Sequence, residues 1–231
     1  MGQERGKGPL NIIYEDASII VADKPAGLAT QSANVAQQDL VSLVRAYLQE
    51  KASAKSGQPY LGIIHRLDQP VTGLVAFAKN QKAAAALSAQ VKSDIMNKHY
   101  LAVVEGKVDA AGPFILKDLI YKDPKTSKAV KVDNRDSVKG NFKLQEAVLE
   151  YQPLKYYEAE DATLLDIRLV TGRFHQIRCQ LSGMGHPIIN DRKYGAVKSY
   201  ASDFTGRGLI GDREIIGTTK KSLEFAGVLA L

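Results

Sequence analysis

The run TLLDIRLV, Thr163 to Val170, sets Leu165, Ile167 and Leu169 on one side and Asp166, Arg168 and Val170 on the other. A period of two over this length fits a strand with one buried face. Similar short runs recur. Ile12 to Tyr14 and Ile19 to Ala22 read as a hairpin, with Glu15-Asp16-Ala17-Ser18 as its turn. Further strands are expected at Leu61 to Ile64, Leu74 to Ala78, Tyr100 to Val104, Ala129 to Val132 and Gln145 to Tyr151. Helical spacing is rarer. Leu40, Leu43, Val44, Tyr47 and Leu48 follow the N-cap candidate Asp39 and predict a helix over 39–51; alanine-rich Gln81 to Asp94 predicts a second. Phe174, Ile177 and Leu181 predict a third over 173–183, with Gly183 or Gly185 as its stop. Strands outnumber helices, and no linker or repeat interrupts them. The expectation is a mixed α+β chain with a flexible N-terminus over 1–9 and one domain over 10–231, within which 196–231 is the part hardest to assign.

The charge pattern narrows the partners. A net charge of +6 and a pI near 9.2 favour polyanions. The excess is uneven, since Lys117 to Lys143 holds seven lysines and one arginine against four aspartates, a net +4. That segment reads equally as a solvated loop or as an arm facing nucleic acid. No run reaches the roughly 20 apolar residues of a membrane span, and the first residues lack the apolar core of a secretory signal, so a cytoplasmic location is expected. Cys179 is the only cysteine and excludes an internal disulfide.

Several chemistries are disfavoured by the side chains available. Of the four histidines, only His175 stands with Cys179 at the i, i+4 spacing of two metal ligands, which is two short of a structural zinc site. Neither a GxxxxGK[ST] phosphate loop nor a Gly-x-Ser-x-Gly elbow is present. Asp68 is different. It lies in HRLDQPVTG, between two expected strands, where catalytic groups are often displayed. Taken alone it could equally be a turn former.

Five motifs together carry a family resemblance. They are Tyr14-Glu15-Asp16 with Lys24-Pro25-Ala26-Gly27-Leu28; His65-Arg66-Leu67-Asp68 with Thr72-Gly73-Leu74; Lys98-His99-Tyr100; Thr171-Gly172-Arg173-Phe174-His175-Gln176-Ile177-Arg178; and Gly185-His186-Pro187-Ile188 with Asp191 and Tyr194-Gly195. In this order and spacing the chain resembles the RNA pseudouridine synthases that include the bacterial ribosomal large-subunit and related tRNA enzymes. Val71-Thr72, Gln180 and Asn190 depart from the family's more usual Thr-Ser, His and Gly.

The resemblance implies a mainly antiparallel sheet with flanking helices and a central RNA-binding cleft. It also implies isomerisation of uridine in rRNA or tRNA by a monomer, with base flipping and with no metal or diffusible cofactor. An inactive RNA-folding factor on the same fold is the alternative. By motif position Asp68, Tyr100 and Arg178 are the catalytic set, with Arg178 as the bidentate partner of Asp68. Arg66 would fill the gap left by the flipped nucleotide beside His65, which structures the loop, while Arg173, Lys98, Lys24 and the lysines of 117–143 would meet RNA. One carboxylate suffices for such chemistry, because it acts at the sugar as nucleophile or charge partner without a separate acid and base.

Overall fold

The computed structural model describes residues 10–34, 36–52, 57–108, 112–135, 138 and 140–198, and the backbone of Ala226–Leu229. Contacts group these residues into two compact units, one of the residues up to Met96 with Ala226 and Gly227, and one from Asn97 onward with Val228 and Leu229. The expectation for 1–9 and most of that for 196–231 lie outside the described residues.

In the first unit, strands β1 (Asn11–Glu15), β2 (Ile19–Lys24) and β4 (Thr72–Ala78) form an antiparallel sheet, with the two-residue β3 (Gly62–Ile63) also paired to β4. Both Ser18 and Ile19 donate their backbone N–H to Oδ1 of Asp16, which fixes the predicted hairpin turn. Consecutive residues Ile20, Val21 and Ala22 on β2, and Val75 to Ala78 on β4, are all buried, so these two strands are covered on both faces.

Helix α1 (Leu40–Lys51) starts where Asp39 predicts, and its N-cap is reciprocal. Asp39 Oδ1 accepts from Ser42 N at 2.7 Å, while Asp39 N donates to Ser42 Oγ at 3.1 Å. The next orphan donors are satisfied outside the helix, since Leu40 N and Val41 N donate to the carbonyls of Ala29 and Thr30. The far end is tied through Glu15, which binds Lys51 and Lys79 at 2.8 Å each and accepts from Tyr47 Oη; chiefly these cations hold its carboxyl down at about 2. Helix α2 (Gln81–Lys92) begins behind its Asn80 cap.

The second unit is an antiparallel sheet in the order β5 (His99–Glu105), β9 (Ala162–Leu169), β8 (Gln145–Tyr157), β6 (Phe114–Asp123) and β7 (Lys128–Val132). The alternation read in β9 holds, for Leu165, Ile167 and Leu169 are buried while Asp166 and Arg168 are half-exposed. The strand-paired ladder also corrects two expectations. Residues Lys117 to Val132 are largely a β-hairpin, β6 and β7, with Lys125 in its turn, and not a loop. Charges at Lys117, Asp118, Lys122 and Asp123 mask the period of β6; pairing with β8 supplies what local pattern does not. β8 itself runs six residues past Tyr151, because the register shifts between Pro153 and Lys155 and lets the strand pass a residue with no N–H to donate.

Helix α3 (Gln176–Gly183) begins three residues later than spacing predicts, since His175 has φ +49° and cannot continue a right-handed helix backwards. Cys179 packs with Ile120, Ala129, Ala147 and Tyr194 into one core cluster, which joins α3 to the β6–β7 hairpin. A 3₁₀ turn, Arg192–Tyr194, follows. The last strand is β10 (Ala226–Leu229). No helix among the described residues is long and apolar enough to cross a membrane.

Candidate active site

The loop 64–71 joins β3 to β4 and carries two buried anchors. Leu67 and Val71 are buried; Arg66 and Asp68 are exposed. Leu67 is the anchor, because Thr30 Oγ1 donates to its carbonyl at 2.8 Å and accepts from its N–H at 3.1 Å. The turn after Asp68 closes when Val71 N donates to the Asp68 carbonyl at 3.0 Å. Gln69 is held on both sides, since its carbonyl accepts from Gly27 N and its Nε2 donates to Gly27 O. Gly27 has φ +83°, a conformation that a side chain would resist. His65 Nε2 accepts from Ala76 N at 3.1 Å, which ties the loop's first residues to β4.

Lys24 is placed differently from the sequence expectation of an RNA contact. Its side chain is wholly buried, and Nζ donates to the carbonyls of Pro25, Leu28 and Gln69 at 3.0, 2.7 and 3.2 Å. It is thus the cation that binds the segment 25–28 to the Asp68 loop. Burial pushes its pKa down to about 8, against the opposing charges of Asp68 and Asp23. The unfolded chain, with an ordinary lysine, keeps its proton to about 10.5, so between these values the folded state has released a proton that the unfolded state still holds. Stability from this group therefore rises with pH across that window and falls away as pH drops to about 8. Melting curves of wild type and Lys24→Met taken from pH 7 to 10.5 should show the wild type gaining on the variant above about pH 8. Parallel curves would reject the buried ammonium.

In the second unit Tyr100 lies on β5 opposite Ile167, buried and on the same face as that core residue. His99 points to the other face, with Nδ1 2.9 Å from Asp166. Arg168 on that face donates from Nε to Asn97 Oδ1 and from Nη1 to Glu150 Oε1, both at 2.8 Å. These polar contacts fix the strand start from which Tyr100 projects. Lys98, expected to meet RNA, is 6% exposed, and its carbonyl accepts from Leu169 N.

Within the second unit Arg178 forms a bidentate pair with Asp191, with Nε to Oδ2 and Nη2 to Oδ1 both at 2.7 Å. Both residues are buried. The guanidinium also lies 4.8 Å above the Tyr194 ring, and Nη1 stands 3.2 Å from His175 Nε2. With that nitrogen accepting, a neutral His175 carries its proton on Nδ1 and donates it to Tyr194 Oη at 2.9 Å. Both ring nitrogens of His175 are thereby engaged, and Cys179 is in the core with its thiol pushed up to about 11 by burial. Among the described residues no group of three or more His, Cys, Asp or Glu could hold a metal.

The segment before α3 is knotted by two glutamines whose importance the sequence does not announce. Gln176 Oε1 accepts from Thr171 Oγ1 and Arg173 N, while its Nε2 donates to Val148 O and Gln180 Oε1. Gln180 Nε2 then donates to Asp118 Oδ2 and Ala147 O. Arg173 is half-buried and donates Nε to Glu146 O. The signals for Gln176, Gln180, Asp191 and Tyr194 were present only as motif letters.

Among the described residues, antiparallel strand pairing, three α-helices and an acid displayed on a braced loop make up an α+β fold. Residues 18–183 match the family model described as RNA pseudouridylate synthase, and the chain belongs to that family. It is 36% identical over 188 residues to an uncharacterised RNA pseudouridine synthase of Aquifex aeolicus, covering 81% of this chain and 56% of that protein. Over 189 residues it is 36% identical to ribosomal large subunit pseudouridine synthase D of Nitrosomonas europaea, 81% of this chain and 50% of that one. Over 194 residues it is 29% identical to tRNA pseudouridine(31) synthase of Saccharomyces cerevisiae, 80% and 46%. The chain thus spans about half the length of the relatives it matches. Among solved structures, human RNA pseudouridylate synthase domain containing 4 has the same fold, with TM-score 0.63 and 24% identity over 84% of this chain and 74% of that chain.

Proposed function

We propose that the protein isomerises uridines in structured RNA to pseudouridine. The observation that carries this is the placement of the family's acid: Asp68 is exposed on a loop braced by Lys24, Gly27, Thr30 and Ala76, as a group that must meet a nucleotide at fixed geometry requires. In the reaction the N1–C1′ bond breaks and a C5–C1′ bond forms; the proton lost from C5 is balanced by one gained at N1. No electrons or phosphate are consumed. Asp68 acts at the sugar as nucleophile or charge partner. Arg66, exposed two residues before it, takes the place of the flipped nucleotide. Tyr100 holds the uracil by its ring or takes a proton at the sugar. Arg178, clamped by Asp191, is a positioning residue in this scheme, and Arg173 contacts phosphate near α3.

The named relatives act on ribosomal and transfer RNA, and we assign this chain a target of that kind, met in the cytoplasm by a monomer. Mapping pseudouridines in total RNA from cells with and without the gene tests the reading. At least one ribosomal or transfer RNA uridine should lose its modification and regain it when the gene is restored. An unchanged map would sink the proposal.

A further inference from the structure

Phe174 is 40% exposed on the loop just before α3, whose residues Gln176 to Leu181 are buried. Its ring lies on that of His175, with centroids 3.8 Å apart and planes 20° from parallel. Adjacent side chains ordinarily diverge. Here the left-handed conformation of His175, φ +49° and ψ 30°, accompanies the stack, and for a residue other than glycine that conformation costs about 1–2 kcal/mol. The lower ring is held by Tyr194 Oη on one nitrogen and Arg178 Nη1 on the other. Phe174 is therefore an exposed aromatic face on a fixed support.

The neighbourhood is cationic. Lys122, exposed on β6, places Nζ 4.7 Å from the Phe174 ring centre, and the hairpin that carries it also carries Lys117, Lys125, Lys128 and Lys131. Two of those charges are partly matched, Lys117 by Glu146 and Lys131 by Asp118; Lys122 rests on an aromatic ring. An aromatic face beside a movable cation is the arrangement with which proteins bind an unpaired nucleotide, base on ring and phosphate on ammonium.

We propose that Phe174, supported by His175, is a stacking platform for one unpaired base of the RNA. The base takes the ring face over which Lys122 now sits, and the Lys122 ammonium moves onto a flanking phosphate. This role lies outside the isomerisation step, and it rests on the proposed RNA enzyme only for the identity of the polymer.

The test uses the full-length protein and a stable RNA stem-loop in which 2-aminopurine is placed at each loop position in turn. Wild type should quench the probe strongly at one position. Phe174→Leu and Phe174→Met, which keep apolar cover over His175 but lack a π face, should lose that quench and bind about tenfold more weakly, while Phe174→Trp should retain both. Lys122→Gln should weaken binding and make its salt dependence shallower by about 0.7 in log–log slope, as for one single-strand phosphate. Circular dichroism melts identify any variant that has not folded, and the remaining apolar variant then decides. Leu or Met variants that bind and quench within twofold of wild type overturn the platform, as does a wild type that quenches at no position. Assaying pseudouridine formation on the same RNAs separates the two readings. Phe174-dependent quenching without product retains the platform and removes the enzyme; product formation with Phe174-independent binding does the reverse.

Discussion

Asp68→Asn is expected to lower the rate of pseudouridine formation to below about 1% of wild type, with RNA affinity changed by less than about threefold. The substitution keeps the size and hydrogen-bonding reach of the side chain but removes its charge, and the proposed step at the sugar needs the charge. Folding should be unaffected. The side chain is exposed, and the bonds that shape the loop use backbone atoms of Leu67, Asp68 and Gln69 together with Thr30, Lys24 and Gly27. Single-turnover assays on an RNA bearing the mapped uridine, with parallel binding and melting curves, give the result directly. A variant that turns over at more than a few per cent of wild type removes Asp68 from the chemistry.

Asp191→Ala should be the most damaging of the stability changes, at about 3–5 kcal/mol, equivalent to a drop of roughly 10 °C in melting temperature. The loss of attraction is the smaller part of this. Arg178 is 8% exposed, and with Asp191 gone its Nε and Nη2 would lose two 2.7 Å hydrogen bonds while its charge stayed buried under Tyr194. Replacing both partners by apolar residues removes the buried charge together with its partner, so Arg178→Met with Asp191→Leu should recover much of the stability lost by Asp191→Ala alone. Calorimetric melts of the three variants decide this. A double variant as unstable as Asp191→Ala would mean that packing of the 3₁₀ turn, and not the charge, dominates. The same pair of variants also bears on catalysis: if Arg178 acts by position, the double variant will fold and yet remain slow.

The fold was legible where a local pattern had one meaning. Asp39 marks a helix start because its side chain caps a neighbouring N–H group, the alanine-rich run from Gln81 reads as a second helix, and β9 declares itself because one face is buried and the other is not. β6 was not legible. Its alternation is broken by charges that are satisfied elsewhere, Asp118 by Lys131 and Gln180, and Lys122 by Phe174. The site divides in the same way. Motif order singled out Asp68, Tyr100 and Arg178 as letters, but it did not show Asp191 as a bidentate partner of Arg178, and it made an RNA contact of Lys24, which is buried.

What the sequence by itself determined is the set of local commitments: strand period, helix caps, the turn at Asp68-Gln69-Pro70-Val71, and the family to which those motifs belong. Each of these depends on residues within a few positions of one another, whose geometry is fixed by backbone sterics and short hydrogen bonds. The tertiary structure alone decided how buried charges are satisfied. Lys24 meets Gln69 across 45 positions, and Arg178 meets Asp191 across 13. A charge removed from water must find its partner wherever folding brings one within hydrogen-bond reach, and no local pattern records that distance.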